Sequence, residues 1–447
     1  MFENLLGQAA ASRLIQDIEA DSLAPAMLFS GPPASGKGTA ALELGRVISC
    51  EANDGKGQAA WNCPCPACSR HRSLVHPDLL CLGWKPFIAE ISASAGAALR
   101  EPSNAPARVL LVRSLRKLLA RFNPVLWEDD PRRSKVSPLV ASLEEGLDDL
   151  AQFDAESQGG APESRLAGLK KITDTLLKSA IKLESDGMSE NIPVGHLRRA
   201  AWWSHLAPVG RSKLIIVENA DMTQEEGKNS LLKLLEEPPG QVHVVLASSR
   251  PGSLLPTILS RLRSYRFSAR EEAAEDEVIR RVFRDDTRGM RIADYLDSFL
   301  PVSNETLEAL AAFFAASSAT KAAMLSKRRG RNIAPEILLL GKYCAPRAEA
   351  AGLGRPSGDI ASVCALVLDR AGKFEIRSLF SRFLRCLLGE VSFSLKKDAS
   401  FLPLPSYSDL WKNSCAWAES AVGIYELRPA QALEKLFTDL SRGMAGL

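Results

Sequence analysis

The sequence predicts an α/β protein: a parallel-sheet module at the N-terminus, interrupted by a helical insertion and followed by a helical C-terminal half. Three observations predict it. Residues 26–30 (AMLFS) run straight into the glycine-rich GPPASGKGT at 31–39 and then into a helical pattern, the strand–loop–helix context of a phosphate-binding loop. Leu214, Ile215, Ile216 and Val217 form an unbroken apolar run, and a second run follows at 242–247, as in strands buried on both faces of a parallel sheet. Beyond Ala269 the apolar spacing is helical to the last residue.

Composition bounds the answer. The chain has 447 residues, enough for two to four domains with ample core. Apolar residues make up 46% and charged residues 24%, as in soluble globular proteins. A net charge of +3 does not by itself argue for nucleic-acid binding, so a basic patch would have to be local. No apolar run approaches the ~20 residues that span a bilayer. The first residues, MFENLLGQ, carry an acid and no basic leader, so the expectation is a cytoplasmic protein without a membrane partner. In that compartment the nine cysteines read as thiols or metal ligands.

Taken in order, residues 10–20 read as a helix, 26–30 as a strand, 40–48 as a helix, 50–76 as a Cys-rich loop and 78–82 as a strand. Residues 84–191 read as a helical insertion with flexible joints, punctuated by Pro102, Pro106, Pro124, Pro131, Pro138 and Pro162 and by Gly159-Gly160. Within it Leu166, Leu169, Thr173, Leu176, Ala180 and Leu183 share one helical face, and 108–121 reads as a basic amphipathic helix. The core resumes as a helix at 192–207. A helix carrying Leu231, Leu232, Leu234 and Leu235 follows the strand at 214–217 and stops at Glu237, because Pro238-Pro239 cannot continue it. A short last strand leads to Phe267. Helices are expected near 271–284, 304–325, 332–345, 358–371, 374–396, 406–425 and 428–442. The resulting domains are 1–269, with the Cys-rich loop at 50–68 and the insertion at 84–191, then 270–328 and 329–447.

Gly31, Gly36 and Lys37 fill three fixed positions of G-x-x-x-x-G-K-S/T. The glycines let backbone N–H groups approach phosphate, and the lysine reaches the β- and γ-phosphates. The hydroxyl that should follow the lysine and hold Mg²⁺ is replaced by Gly38. Thr39 lies about 100° further round the helix. ATP binding is therefore expected to outlast Mg²⁺-dependent hydrolysis. At the second strand end, where Asp and Glu would hold metal and activate water, stand Glu218 and Asn219. Glu is longer than Asp and Asn is no base; both could instead simply cap the strand. Cys50, Cys63, Cys65 and Cys68 lie together in sequence, and Cys65-x-x-Cys68 has the gap of a structural Zn²⁺ site. His71 and His76 are spare ligands. Cys81, Cys344, Cys364, Cys386 and Cys415 read as buried thiols. Ser260-Arg261 ends a short helix before the last strand, where an arginine is either solvated, a helix cap, or turned toward a neighbouring subunit.

The segments FENLLGQ (2–8), LAPAMLFSGPPASGKGT (23–39), the Cys cluster with HPDLL (76–80), NSLLKLLEEPP (229–239), LASSRP (246–251) and TILSRLRSYRF (257–267) occur in this order. Together they resemble bacterial DNA polymerase III clamp-loader subunits of the AAA+ class, over roughly residues 1–83 and 192–268. The resemblance implies an AAA+ P-loop module, a small helical lid at 270–328 and an all-α collar at 329–447 through which protomers assemble; PAQALEKL (429–436) looks like the last collar helix. Gly38 and Glu218-Asn219 fit the delta-prime type rather than the gamma/tau motor. Arg261 is then the finger that completes a neighbour's ATP site, with Leu262 in place of the usual Cys. The family's Cys-x2-Cys-x2-Cys spacing is not kept, since Asn62 stands in that register. Implied partners are the gamma/tau motor subunits, the delta subunit, the sliding clamp and primed DNA. The alternatives are an active gamma/tau-type ATPase, or a zinc-containing DNA-binding regulator with an inactive P-loop. The insertion has no counterpart in the resemblance; surface decoration is the first reading of it, with DNA contact through its basic helix or partner binding as others.

Overall fold

The apolar runs become the strands of one parallel sheet. In a computed structural model, β1 (Ala26–Ser30), β2 (Leu79–Leu82), β3 (Lys213–Glu218), β4 (Val242–Ser248) and β5 (Arg263–Arg266) lie in the order β2-β3-β4-β1-β5. The structure describes all residues except 53–58, 157–161, 190, 224, 237, 398–404, 424–426 and 447. Ile215, Val217, Val244, Val245 and Leu246 are fully buried, each stabilising the fold by about 1.5–3 kcal/mol. Both faces are covered, which explains why these strands carry no polar alternation.

Register sets the site. Ser30 pairs with Ser248 and Arg266, and Glu218 pairs with Ala247. The carboxyl ends of β1, β3 and β4 therefore meet at one edge. β1 lies between β4 and β5, so the chain leaves β1 toward β2 on one side and leaves β4 toward β5 on the other. That reversal is the switch point where α/β sheets bind ligands. The N-terminal motif is pinned to the same edge: Gln8 donates to the Ser268 carbonyl at 2.9 Å and accepts from its N–H at 3.2 Å.

The chain divides into two units, Met1–Phe299 and Leu300–Leu447. The division falls inside the stretch expected as a lid. Helices Glu272–Phe283 and Ile292–Ser298, the second of which the sequence reading missed, pack on helix Phe87–Arg100 in the first unit. Helix Asn304–Arg328 instead forms the centre of the second unit, against Pro335–Ala350, Ile360–Arg370, Arg377–Lys396 and Pro429–Met444. Phe314 meets the Phe383 and Phe437 rings edge-on at 5.7 and 5.6 Å. This helix has the length and hydropathy of a membrane span, contrary to the expectation that no segment does. Its most apolar window is 67% buried among these helices, as in the core helix of a soluble domain.

The insertion is not surface decoration. Its prolines start helices more often than they break them: Pro106 and Pro124 lie in the first turns of Ala105–Leu119 and Pro124–Trp127, where no N–H is needed. Pro138 sits inside Arg133–Glu156, a helix held by packing on Pro162–Gly187, so this expected break is overturned. The break at Gly159-Gly160 and the helix stop at Glu237 lie outside the described residues. None of the five cations in 108–121 is exposed. Arg108 donates to the Pro102 carbonyl at 2.6 Å, Arg113 to the Arg72 carbonyl and Arg116 to the Ser73 carbonyl at 2.9 Å; Lys117 pairs with Glu90 and Arg121 with Glu218. A helix whose cations all turn inward offers no basic face for DNA, which removes that reading of it. Glu184, from the last insertion helix, accepts from the Phe87 and Ile88 N–H groups at 2.8 and 3.2 Å. It satisfies donors that helix Phe87–Arg100 cannot satisfy itself. Glu184→Ala is expected to destabilise the first unit by about 1–3 kcal/mol, read by chemical denaturation; an unchanged midpoint would remove this role.

Candidate functional site

The glycine-rich loop 31–36 joins β1 directly to a helix, the local geometry its sequence predicts. Helix Lys37–Ile48 begins three residues earlier than expected, directly after Gly36, whose φ is +95°. A Cβ on Gly31 would overlap the Phe267 carbonyl oxygen, so only glycine fits there. Thr39 lies in the first turn of the helix, half-buried. Lys37 is folded onto its own loop. Its ammonium donates to the Gly31 and Pro32 carbonyls, both at 2.6 Å, with the Ser35 and Ser249 hydroxyls at 3.5 and 3.4 Å. Burial pushes its pKa down to about 8, against the raising charges of Glu218 and Asp221. Incoming phosphate would have to displace those carbonyls. Arg270, which the sequence reading passed over, donates to the Ala34 carbonyl at 2.6 Å and to the Leu6 carbonyl at 3.0 Å, tying the loop to the N-terminal segment.

The acidic strand end is committed to the insertion. Glu218 is 8% exposed. Its carboxylate pairs with Arg121, and Lys85 stands 3.9 Å away. Burial favours its neutral form, but the charges of Lys85 and Arg121 outweigh burial and hold it below the usual carboxylate range. Glu90 is held low in the same way: the charges of Lys117 and Lys85 overcome its burial. Asn219 adopts left-handed backbone angles (φ 49°, ψ 49°) and donates from Nδ2 to the Trp84 carbonyl at 2.7 Å. The two residues thus bind the insertion, through Arg121, Lys85 and Trp84, rather than the helix that follows them. Nearby, Asp221 accepts from the Ser248 hydroxyl at 2.6 Å and from Arg250 Nε at 3.1 Å. Sequence reasoning missed this trio, although Ser248 and Arg250 belong to the LASSRP motif.

Gly38 explains itself through Glu218. A Cβ at Gly38 would overlap Glu218 Oε1, so the long carboxylate and the missing hydroxyl occur together. These residues do not fit Mg²⁺. The hydroxyl ligand is absent, and the carboxylate that should face the metal faces a guanidinium.

The cysteines fit zinc. The sulfurs of Cys50, Cys63, Cys65 and Cys68 all lie within 4.8 Å of one another. Cys50 and Cys63 are 3.7 Å apart, close to the ~3.8 Å edge of a Zn–thiolate tetrahedron. The altered spacing therefore does not exclude Cys63. Burial raises the Cys65 thiol, but N–H groups donated by Cys68 and Glu51 outweigh it and bring it to about 6, which favours the thiolate a metal needs. Arg46 donates to Cys68 Sγ at 3.3 Å while it pairs with Glu43 at 2.5 Å. The spare histidines stay outside the cluster and stack on each other with centroids 4.1 Å apart.

Arg261 stands apart from the phosphate loop. It is 36% exposed and held by Glu236 Oε1 at 2.9 Å and the Thr257 carbonyl at 2.7 Å. Leu262 beside it is buried, so the leucine fills the core and leaves the arginine outside.

Two outcomes are expected. Purified chain should carry one zinc, lost together with several degrees of thermal stability on chelation or in Cys65→Ser; metal analysis and a melting curve check this, and a metal-free chain of unchanged stability would contradict it. Because Glu218 and Glu90 are held low, their pairing contributes stability that is complete above the ordinary glutamate pKa and is lost as pH falls through the lowered values. Denaturation from neutral to acid pH should therefore show a shallower loss in Glu218→Gln than in the wild type.

Comparisons with known proteins match parts of the chain to subunits of DNA polymerase III. The family described as DNA polymerase III, delta subunit matches residues 152–271. The DNA polymerase III subunit gamma/tau of Mycobacterium bovis is 44% identical over 123 residues, 27% of this chain and 16% of its own length. The DNA polymerase III subunit delta' of Pseudomonas aeruginosa is 44% identical over 55 residues, 12% of this chain and 17% of that subunit. That of Bacillus subtilis is 41% identical over 68 residues, 15% of this chain and 21% of that subunit. The chain spans about a fifth or less of the length of each of these relatives. Over these stretches, each a minor part of the chain, the chain is similar to subunits of DNA polymerase III, and its parallel sheet is consistent with that likeness.

Proposed function

We propose that this chain is a delta-prime-like subunit of a cytoplasmic clamp loader, one that helps load the sliding clamp onto primed DNA without turning over ATP itself. The observation that carries the reading is the commitment of Glu218 to Arg121 beside Gly38. A P-loop enzyme needs a hydroxyl and a free acidic group for its metal, and both positions are spent here. Lys37, occupied by its own loop, supports the same reading. Zinc on Cys50, Cys63, Cys65 and Cys68 is structural in this account. It fixes the loop between the phosphate-loop helix and β2.

In this reading Arg261 acts on a neighbour. Exposed and steadied by Glu236, its guanidinium would stabilise charge on the γ-phosphate held by an adjacent gamma/tau-type subunit, as arginine fingers do. The delta subunit, the clamp and the primed DNA are met through the assembly, with helices beyond residue 269 serving as lid and collar. The second reading is a gamma/tau-type motor, favoured by the longer stretch of similarity to the gamma/tau relative, 123 residues at 44% identity. ATP turnover by the chain alone separates the two: background rates support the first and vigorous hydrolysis the second. In a reconstituted complex, Arg261→Ala is expected to lower ATPase by roughly 10³-fold or more with assembly intact. Unchanged turnover would end the finger role.

A further inference from the structure

Arg121 belongs to the insertion, yet its guanidinium sits against the carboxylate at the end of β3. It is 7% exposed. Its position is fixed from two sides by other insertion residues. The Phe87 ring lies beneath it, 5.3 Å from ring centroid to guanidinium, and Trp127 Nε1 donates to its carbonyl at 2.8 Å. Lys85 approaches the same carboxylate, and Glu90 takes Lys85 at 3.3 Å as well as Lys117. This cluster holds two carboxylates and three cations. The next charges outward do not change its sign: Lys37 adds another cation, and Asp221 is paired with Arg250.

A divalent ion brought to such a place would enter a buried region that is already net positive, where like charges repel strongly. Its carboxylate ligand would first have to release a buried guanidinium, which would leave that charge unpaired away from water. The glycine at 38 offers no compensating hydroxyl. Arg121 itself supplies, permanently, positive charge at the acidic strand end.

We infer that the insertion carries its own replacement for the metal: Arg121, seated by Phe87 and Trp127, takes the place opposite Glu218 and closes it to divalent cations. The inference deepens the proposal of a non-hydrolytic subunit by naming the group that excludes the metal. It also gives the insertion a task within the site.

The test uses the full chain and Mn²⁺ alone, with binding followed by electron paramagnetic resonance in the wild type, Glu218→Gln, Arg121→Gln and the double variant. Wild type and Glu218→Gln should bind Mn²⁺ equally, because no site depends on Glu218. Folded Arg121→Gln should gain a site, at least roughly tenfold tighter than background, that the double variant loses. A wild-type Mn²⁺ site that disappears in Glu218→Gln would overturn the inference, and so would a folded Arg121→Gln that gains nothing. If Arg121→Gln does not fold, the wild-type and Glu218→Gln comparison decides alone. ATP turnover in the same samples keeps the two claims apart. Turnover by the wild type ends the non-motor reading, whereas a Glu218-dependent Mn²⁺ site without turnover ends only this inference.

Discussion

The carboxylate of Glu218 is buried at the end of a central strand, and a buried carboxylate persists as an anion only beside positive charge. In this chain the charge comes from 97 residues away in sequence, from Arg121. Much else follows from that demand. A side chain at 38 would meet Glu218 Oε1, an atom that the pairing with Arg121 holds in place. Lys85, Glu90 and Lys117 form a chain of alternating charge around the pair. The first insertion helix, Phe87–Arg100, is anchored by Glu184 at its start, which fixes the aromatic floor under Arg121. The insertion is thus coupled electrostatically to the sheet edge that carries the phosphate loop.

A second buried pair organises the cysteine side of the module. Arg46 and Glu43 lie one turn apart on the phosphate-loop helix, both with 1% of their side chains exposed. Arg46 donates to the Ala59 and Ala60 carbonyls at 2.7 and 2.8 Å and to Cys68 Sγ, while Glu43 accepts from the Phe2 N–H at 3.4 Å. One ion pair thereby holds the N-terminal motif, the phosphate-loop helix and the cysteine loop together. Arg113, from the insertion, reaches the same loop through the Arg72 carbonyl and the Trp61 ring, 5.3 Å from its centroid. A metal on the four thiolates would complete this loop. Arg46 beside Cys68 would offset part of the negative charge they bring.

Strands and most helices were legible because their signals are local. The unbroken apolar runs at 214–217 and 242–247 gave strands close to their observed bounds, and the leucines of helix Glu225–Glu236 gave its buried face. The four cysteines were legible through proximity in the chain, even with a spacing that departs from the family's. The insertion's role was not. The cations of 108–121 look like a solvated basic face when only their own helix is considered. Their partners, Glu90, Glu218 and the carbonyls of Arg72 and Ser73, lie far off in sequence, and helical periodicity carries no information about them. The same limit hid the Asp221–Ser248–Arg250 contacts and made Gly38 look like a simple loss, when it is one half of a fitted pair with Glu218. The small helix Ile292–Ser298 was missed because seven residues hold too few apolar repeats to show a period.

The central claim is that Arg121 and Glu218 are energetically one unit. A double-mutant cycle measures this directly: chemical denaturation of the wild type, Arg121→Gln, Glu218→Gln and the double variant. The account predicts a coupling of about 1–3 kcal/mol, with the double variant more stable than the sum of the single losses implies. Strictly additive losses would contradict it, because they would mean that the guanidinium and the carboxylate do not hold each other in the folded protein.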